Sequence, residues 1–246
     1  MSPTLKNSLI KSVLAGALSL GVAFPVTAVP VTFFDTITAG QTQFDSTVTG
    51  AGASVNSFTL SGLDYVARNS WSFADFTISK TDGSNSGIFS PETDGSTGQM
   101  IGISPKNPVE ESGITFTFNS AINALGFEVG DWGTCCYGSS LFLAFGGDSA
   151  QKVGTANSYS DNPAIAAGFG SDNDAFFIGA INDTDTFSTV TFYGDGLGEF
   201  LTAGGTIKYA TVGLDSVSVP EPASIALLGL GLVGLSLSRR YSKKQK

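Results

Sequence analysis

Apolar and small polar residues alternate with a period of two along much of the chain, the signature of half-buried β-strands. The clearest run is Ile114-Thr-Phe116-Thr-Phe118, with one apolar face and one threonine face. Leu125-Gly-Phe127-Glu-Val129 follows after a turn at Asn119–Asn123, and Leu141-Phe-Leu143-Ala-Phe145 ends at Gly146-Gly147-Asp148. Further strands are predicted at Val31–Phe34, Phe58–Leu60, Trp71–Ile78, Phe176–Ile181, Val190–Phe192, Ile207–Val212 and Val217–Val219. Turn residues punctuate these runs every 8–12 residues or so, the spacing of a sandwich. The stretch from Lys80 to Gly113 is so dense in Asp, Gly, Ser, Asn and Pro that it reads as long loops. No three-turn stretch carries a clear helical stripe, and no internal repeat suggests a solenoid or propeller. The expectation is an all-β chain built on a single antiparallel β-sandwich.

The pattern changes at both ends. Lys6 and Lys11 precede an uncharged run of 13 residues, Ser12–Phe24, and Val26-Thr27-Ala28 supplies small residues for a signal peptidase. The run is too short for a span, so residues 1–28 read as a secretory signal peptide helix cleaved after Ala28. At the other end, Val219-Pro220-Glu221-Pro222 leads into 16 uncharged residues, 223–238, and then Arg239, Arg240, Lys243, Lys244 and Lys246. As a transmembrane helix those 16 residues rise roughly 24 Å, a little less than a ~30 Å hydrocarbon core. Gly229, Gly231 and Gly234 give that helix a small-residue face, and the basic cluster retains its end on the cytoplasmic side. The body is therefore residues 29–218 and the tail 219–246, divided into a motif at 219–222, the apolar span and a basic segment at 239–246.

This tail resembles the sorting signal of PEP-CTERM proteins, exported proteins of Gram-negative bacteria that make exopolysaccharide. The resemblance implies that Pro220, Glu221 and Pro222 lie just outside the membrane, where an exosortase processes them, with Arg239 and Arg240 as the basic stop. It further implies transient anchoring in the inner membrane through the C-terminus, followed by residence at the cell surface or in the extracellular matrix. A second resemblance spans Phe176–Phe192 and Gly213–Val219. These segments look like the closing half of jelly-roll domains in this class of surface proteins, whose last strand abuts the sorting signal.

Charge narrows what the body can do. It holds 20 acidic and 5 basic side chains, a net charge of −15 that the whole-chain value of −9 conceals. Such a surface repels nucleic acid and anionic headgroups. The chain contains no histidine, which removes the commonest general base, the commonest transition-metal ligand and every histidine-based triad. Cys135 and Cys136 are adjacent; in an oxidising compartment they can close a vicinal disulfide, with pairing between chains, or a reduced or modified pair, as the alternatives. Two cysteines without histidine make no zinc site.

Four further candidates come from loops. Asp172 and Asp174, and Asp183 and Asp185, sit in oxygen-rich clusters of the kind that hold calcium, although neither fits an EF-hand loop. Trp132 and Tyr137 flank the cysteines and could stack on sugar rings. Glu110, Glu111, Glu128 and Asp131 supply carboxylates, of which a glycosidase needs two. The functional expectation is a non-enzymatic envelope or matrix protein, structural or adhesive, associated with exopolysaccharide. The alternatives are a carbohydrate-binding module and, third, a carboxylate-dependent polysaccharide hydrolase.

Overall fold

In the computed structural model, residues 30–194 and 197–217 are described. The chain runs through β1 (Val31–Thr36), α1 (Ile37–Gly50), β2 (Asn56–Thr59), β3 (Ser70–Ser72), β4 (Phe76–Lys80) and β5 (Ile88–Phe89). It continues through α2 (Pro91–Asp94), β6 (Met100–Ile103), β7 (Gly113–Ile122), β8 (Ala124–Gly130), β9 (Ser139–Phe145) and β10 (Gln151–Ala156). It closes with α3 (Pro163–Ala166), β11 (Phe176–Ile181), β12 (Phe187–Gly194) and β13 (Leu201–Ala210). Two sheets face each other. One has the order β1-β11-β8-β13-β6-β5, with β2 pairing the far half of β13; the other has the order β10-β9-β12-β7-β4-β3. All the pairings are antiparallel. From β6 onward successive strands alternate between the sheets, except for the β9–β10 hairpin, which is jelly-roll-like wrapping.

The period-two pattern explains the core. Ile114, Phe116 and Phe118 of β7 face Leu125, Phe127 and Val129 of β8 across the sandwich, and all six are buried. Leu141, Leu143 and Phe145 of β9 and Phe176 and Ile178 of β11 join the same cluster. On the outward face of β7 and β12 the threonines pair, with Thr115 and Thr191 hydroxyls 3.0 Å apart.

The 14-residue helix α1 overturns the expectation of a body without a long helix. Its sequence is rich in Thr, Ser and Gly, which are weak helix formers, and the hydroxyls of Thr42, Thr47 and Thr49 bond back to carbonyls four residues earlier. Tertiary packing compensates. Gly40, Phe44 and Val48 are buried at four-residue intervals against the outer face of the first sheet, where Phe33, Phe177 and Ile181 form a second, smaller core. The strands beneath α1 are consequently covered on both faces, and β8 and β11 are buried throughout.

Glu128 lies on that covered face. Its carboxylate accepts from Thr97 N at 2.7 Å, Thr206 N at 3.1 Å, Gln41 Nε2 at 3.1 Å and the Thr97 hydroxyl. These donors offset the cost of burial. Gly205, at φ +59, lets β13 bulge around the group, because a Cβ there would come 2.2 Å from Glu128 Oε2.

Other expectations are corrected. The Lys80–Gly113 stretch contains β5, α2 and β6, and β6 is buried throughout. Its short apolar run is a core strand hidden between turn residues. Trp71–Ile78 is two antiparallel strands, β3 and β4, joined by a turn in which Phe73 N donates to Phe76 O. Residues 213–217 run as a turn in which Asp215 N and Val217 N donate to Asp183, and β13 is the last strand described; most of the expected strand Val217–Val219 lies outside the described residues. The expected signal peptide, with Ala28, and the residues from 218 on lie outside the described residues.

Candidate functional site: the loops beyond β8

Five of the candidate residues, Asp131, Trp132, Cys135, Cys136 and Tyr137, lie in the turn that leaves β8, and the structure shows why that turn is ordered. Asp131 adopts a left-handed conformation at φ 54, and its N–H donates to Asp174 Oδ1 at 3.1 Å. Next, Trp132 enters the core. Its Nε1 donates to Ser139 Oγ at 3.0 Å, and its ring lies 5.6 Å from Phe34 and 5.4 Å from Phe176. It is fully buried, so the expected sugar stacking at Trp132 does not hold: its ring belongs to the core. Tyr137 is 48% exposed, and only this member of the expected pair reaches solvent.

Asn162 ties the turn to the rest of this end. It is fully buried, and its Nδ2 donates to Trp132 O at 2.8 Å and Asp174 O at 3.0 Å. Its Oδ1 caps α3 through Ala164 N and Ile165 N. Glu199 performs the same task from the other side, accepting from Thr134 N at 3.0 Å. Asp94 accepts from the Thr202 hydroxyl at 2.5 Å, and its backbone carbonyl accepts from Ala175 N. Asn162 and Glu199 thus fasten loop to loop, and Asp94 fastens α2 to β13 and to the residue before β11.

Burial and mutual repulsion set the protonation here. Asp174 is pushed up to about 7, chiefly by burial and then by the neighbouring carboxylates Asp94 and Asp131, against the bond from Asp131 N–H. Asp94, Asp131 and Glu199 are each raised too, again with burial as the largest cause. In this structure Cys135 and Cys136 carry no disulfide and their sulfurs are 2.7 Å apart, so the vicinal disulfide stays an expectation for the oxidised protein. The Cys135 thiol is raised to about 11 by its hydrogen bond with Cys136, by burial and by the negative charges of Glu199 and Asp131. A thiol so raised is a poor nucleophile at neutral pH.

The structure separates the four aspartates expected to hold calcium. Asp172 and Asp174 precede β11, whereas Asp183 and Asp185 follow it, and a six-residue strand puts roughly 20 Å between its ends. Asp172 is exposed in a 3-10 turn. Asp183 Oδ2 accepts from Val217 N at 2.8 Å, tying its loop to the segment after β13, and Asp185 Oδ1 accepts from the next residue, Thr186 N, at 2.7 Å. Among the described residues no group of three or more Cys, Asp or Glu is disposed to hold a metal ion. The carboxylates considered for a hydrolase do not face a common opening, since Glu128 is fully buried beneath α1.

Sequence reasoning did not single out Asn162, Glu199 or Asp94. For Asn162 a signal existed: Asn followed by Pro163 is a helix-start pattern. Glu199 carries no local signal, because its partners lie some 65 residues away in the chain.

These features define a single-domain β-sandwich whose acidic loops serve as joints. The family model described as the PEP-CTERM protein-sorting motif matches residues 218–240. The chain is therefore an exported, sorted protein whose C-terminus carries the signal for membrane anchoring and exosortase processing. Among the described residues no helix is long and apolar enough to cross a membrane. No curated protein matches the chain. Solved structures of CBM29-2, a family 29 carbohydrate binding module, are similar in fold. One variant is 16% identical, covering 69% of this chain and 99% of its own, at a TM-score of 0.34. A second has 16% identity, 68% and 99% coverage and a TM-score of 0.33. A third, complexed with mannohexaose, has 14% identity, the same coverages and a TM-score of 0.29. At these scores no ligand is carried across.

Proposed function

We propose that this chain is a structural or adhesive protein of the bacterial envelope or extracellular matrix, held there in association with exopolysaccharide and without enzymatic activity. The observation that carries the reading is the sorting motif at 218–240, which begins within eight residues of the last strand of one compact sandwich. A sandwich placed so close to a membrane-proximal signal is itself the cargo. The non-enzymatic reading is supported by the use made of the polar interior. Glu128, Asp94, Asp174 and Glu199 spend oxygens on backbone N–H groups and hydroxyls of other loops. After C-terminal processing the domain passes from the inner membrane to the surface or the matrix.

The test is fractionation of cells producing the full chain, followed by assay of the purified mature protein on polysaccharides. The protein is expected to co-sediment with surface or matrix polysaccharide and to leave polysaccharide chain length unchanged. Depolymerisation that disappears in Glu128→Gln or Asp131→Asn would overturn the non-enzymatic reading, and recovery in the cytoplasm would overturn the whole.

A further inference from the structure

The most exposed large apolar side chains of the described body are Tyr65, at 66%, and Val66, at 59%, neighbours at the tip of the segment joining β2 to β3. The chain on either side of them lines an open cleft of about 480 Å³, through Gly62–Asp64 and Arg68, with Ser70–Phe73 as the other wall. That is within the ~300–1,000 Å³ range typical of ligand sites. We infer that this cleft binds an uncharged polysaccharide, with the indole N–H of Trp71 as a donor and the ring of Tyr65 as a stacking surface. The inference rests on the matrix reading above and specifies how the domain is held there.

Three observations converge on that ligand. First, Trp71 is the buried residue of the lining, at 5% exposure, and its Nε1 is fully buried with no hydrogen-bond partner among the described residues. A buried donor left unanswered is costly, and native structures rarely tolerate one without a use. A hydroxyl that reached the indole edge from the cleft, with a small shift of the side chains over it, would answer it. Second, the cleft carries no net charge in a body of −15. Its single cation and single anion neutralise each other: Arg68 Nη2 and Nε donate to Asp64 at 2.5 and 3.2 Å. A free anion or cation therefore finds no unpaired partner. A sugar, which donates and accepts at each hydroxyl, can bond to the outer edges of a paired guanidinium and carboxylate. Ser70 and Ser72, both exposed, add hydroxyls at the wall.

Third, the segment is held ready. The buried Gln99 side chain bonds both the N–H and the carbonyl of Leu63, at 2.7 and 3.0 Å. At the other end Arg68 exchanges two backbone bonds with Ser86, at 3.1 and 2.8 Å. Asn69 O accepts from Lys80 N, and Asn69 Nδ2 donates to Gly83 O. An exposed tyrosine on a tip clamped at both ends loses little freedom on binding, which favours affinity.

The chain has two tryptophans, so its indole N–H groups give two separable proton resonances, and that of Trp132 is already bonded to Ser139. The experiment titrates the full processed protein with hexaoses of glucose, mannose and galactose, and separately with a polyuronate. A neutral hexaose is expected to shift the Trp71 resonance and leave that of Trp132 in place, with binding unaltered by 0.5 M salt. Tyr65→Ala is expected to weaken binding at least tenfold, and Trp71→Phe to weaken it while preserving the fold. Tyr137→Ala should bind as the parent does. Failure of every neutral hexaose to move the Trp71 resonance would overturn the inference, as would salt-sensitive binding of the polyuronate alone. Either result leaves the matrix reading standing if the protein still co-sediments with polysaccharide; loss of co-sedimentation by the parent protein removes that reading independently.

Discussion

At the scale of the residue, Asp174 connects burial to pH. Its folded-state value of about 7 lies far above the value of 3.8 for a free carboxyl. A raised value means that the folded state holds its proton more tightly than the unfolded chain does. Its contribution to stability is then complete below about pH 4 and is lost as pH rises through about 7. The facing groups, Asp94 and Asp131, have the same sign of shift, so they deepen the decline. The neutral Asp174→Asn retains an acceptor for Asp131 N–H and loses the charge. We expect the variant to melt several degrees above the parent at pH 8, less far above it at pH 5, and at nearly the same temperature at about pH 3.5. The scale is on the order of 2–4 kcal/mol at roughly 2–4 °C per kcal/mol. Parallel melting curves for the two proteins across that range would show that Asp174 does not titrate there. The sequence marked Asp174 as an oxygen donor in a loop. That much is read from an Asn- and Asp-rich stretch, but its acidic neighbours come from α2 and from the end of β8, which no local pattern reveals. The same limit misplaced Trp132: a tryptophan beside glycines and cysteines looks like a loop aromatic until Phe34 and Phe176 are brought against it.

At the scale of the element, α1 depends on one ring. Phe177 of β11 fits between Gly40 of the helix and Gly126 of β8. A Cβ at Gly40 would lie 2.7 Å from Phe177 Cδ1, and one at Gly126 would lie 2.3 Å from Cζ. In an open helix Gly→Ala stabilises by about 1 kcal/mol. Here overpacking reverses the sign, and Gly40→Ala should destabilise by roughly 1–3 kcal/mol. Gly126→Ala should do the same. The double variant should cost less than the sum, because both displace the same ring. Chemical denaturation of the three variants measures this, and a more stable Gly40→Ala would mean that α1 is not seated on Phe177. This arrangement also explains which elements the sequence made legible. β7, β8, β9 and β11 declare themselves by alternation or a compact apolar run, and their expected bounds agree with the structure to within a few residues. α1 does not, because its apolar stripe is only Phe44 and Val48 with a glycine completing it, and a glycine chosen for closeness leaves no hydrophobic signal. β10 was likewise not expected: it is an edge strand with exposed and half-buried positions and an irregular register between Lys152 and Gly154.

At the scale of the whole molecule, the opposed charges of body and ends make processing measurable. Seven of the twelve basic residues lie in residues 1–28 and 239–246, so the full chain carries −9 and the body −15. Each expected cut would remove cations and raise the charge density of what remains. The basic tail resists translocation, whereas the acidic body has no affinity for anionic headgroups. After a cut near Pro222 nothing electrostatic holds the domain at the membrane. On the proposed function its retention would then depend on contacts with the matrix, such as the one inferred for the neutral cleft near Tyr65. We expect intact-mass analysis of envelope and medium fractions to show a chain beginning at Val29 and ending near Pro222, eluting later from an anion exchanger than the precursor. Replacing Pro220, Glu221 and Pro222 with alanine should leave the precursor in the membrane with Arg239–Lys246 attached. If that variant is trimmed and released at the parent's rate, another element is recognised. If the parent's mature form retains Arg239–Lys246, the tail acts only as an anchor and the domain stays at the membrane surface.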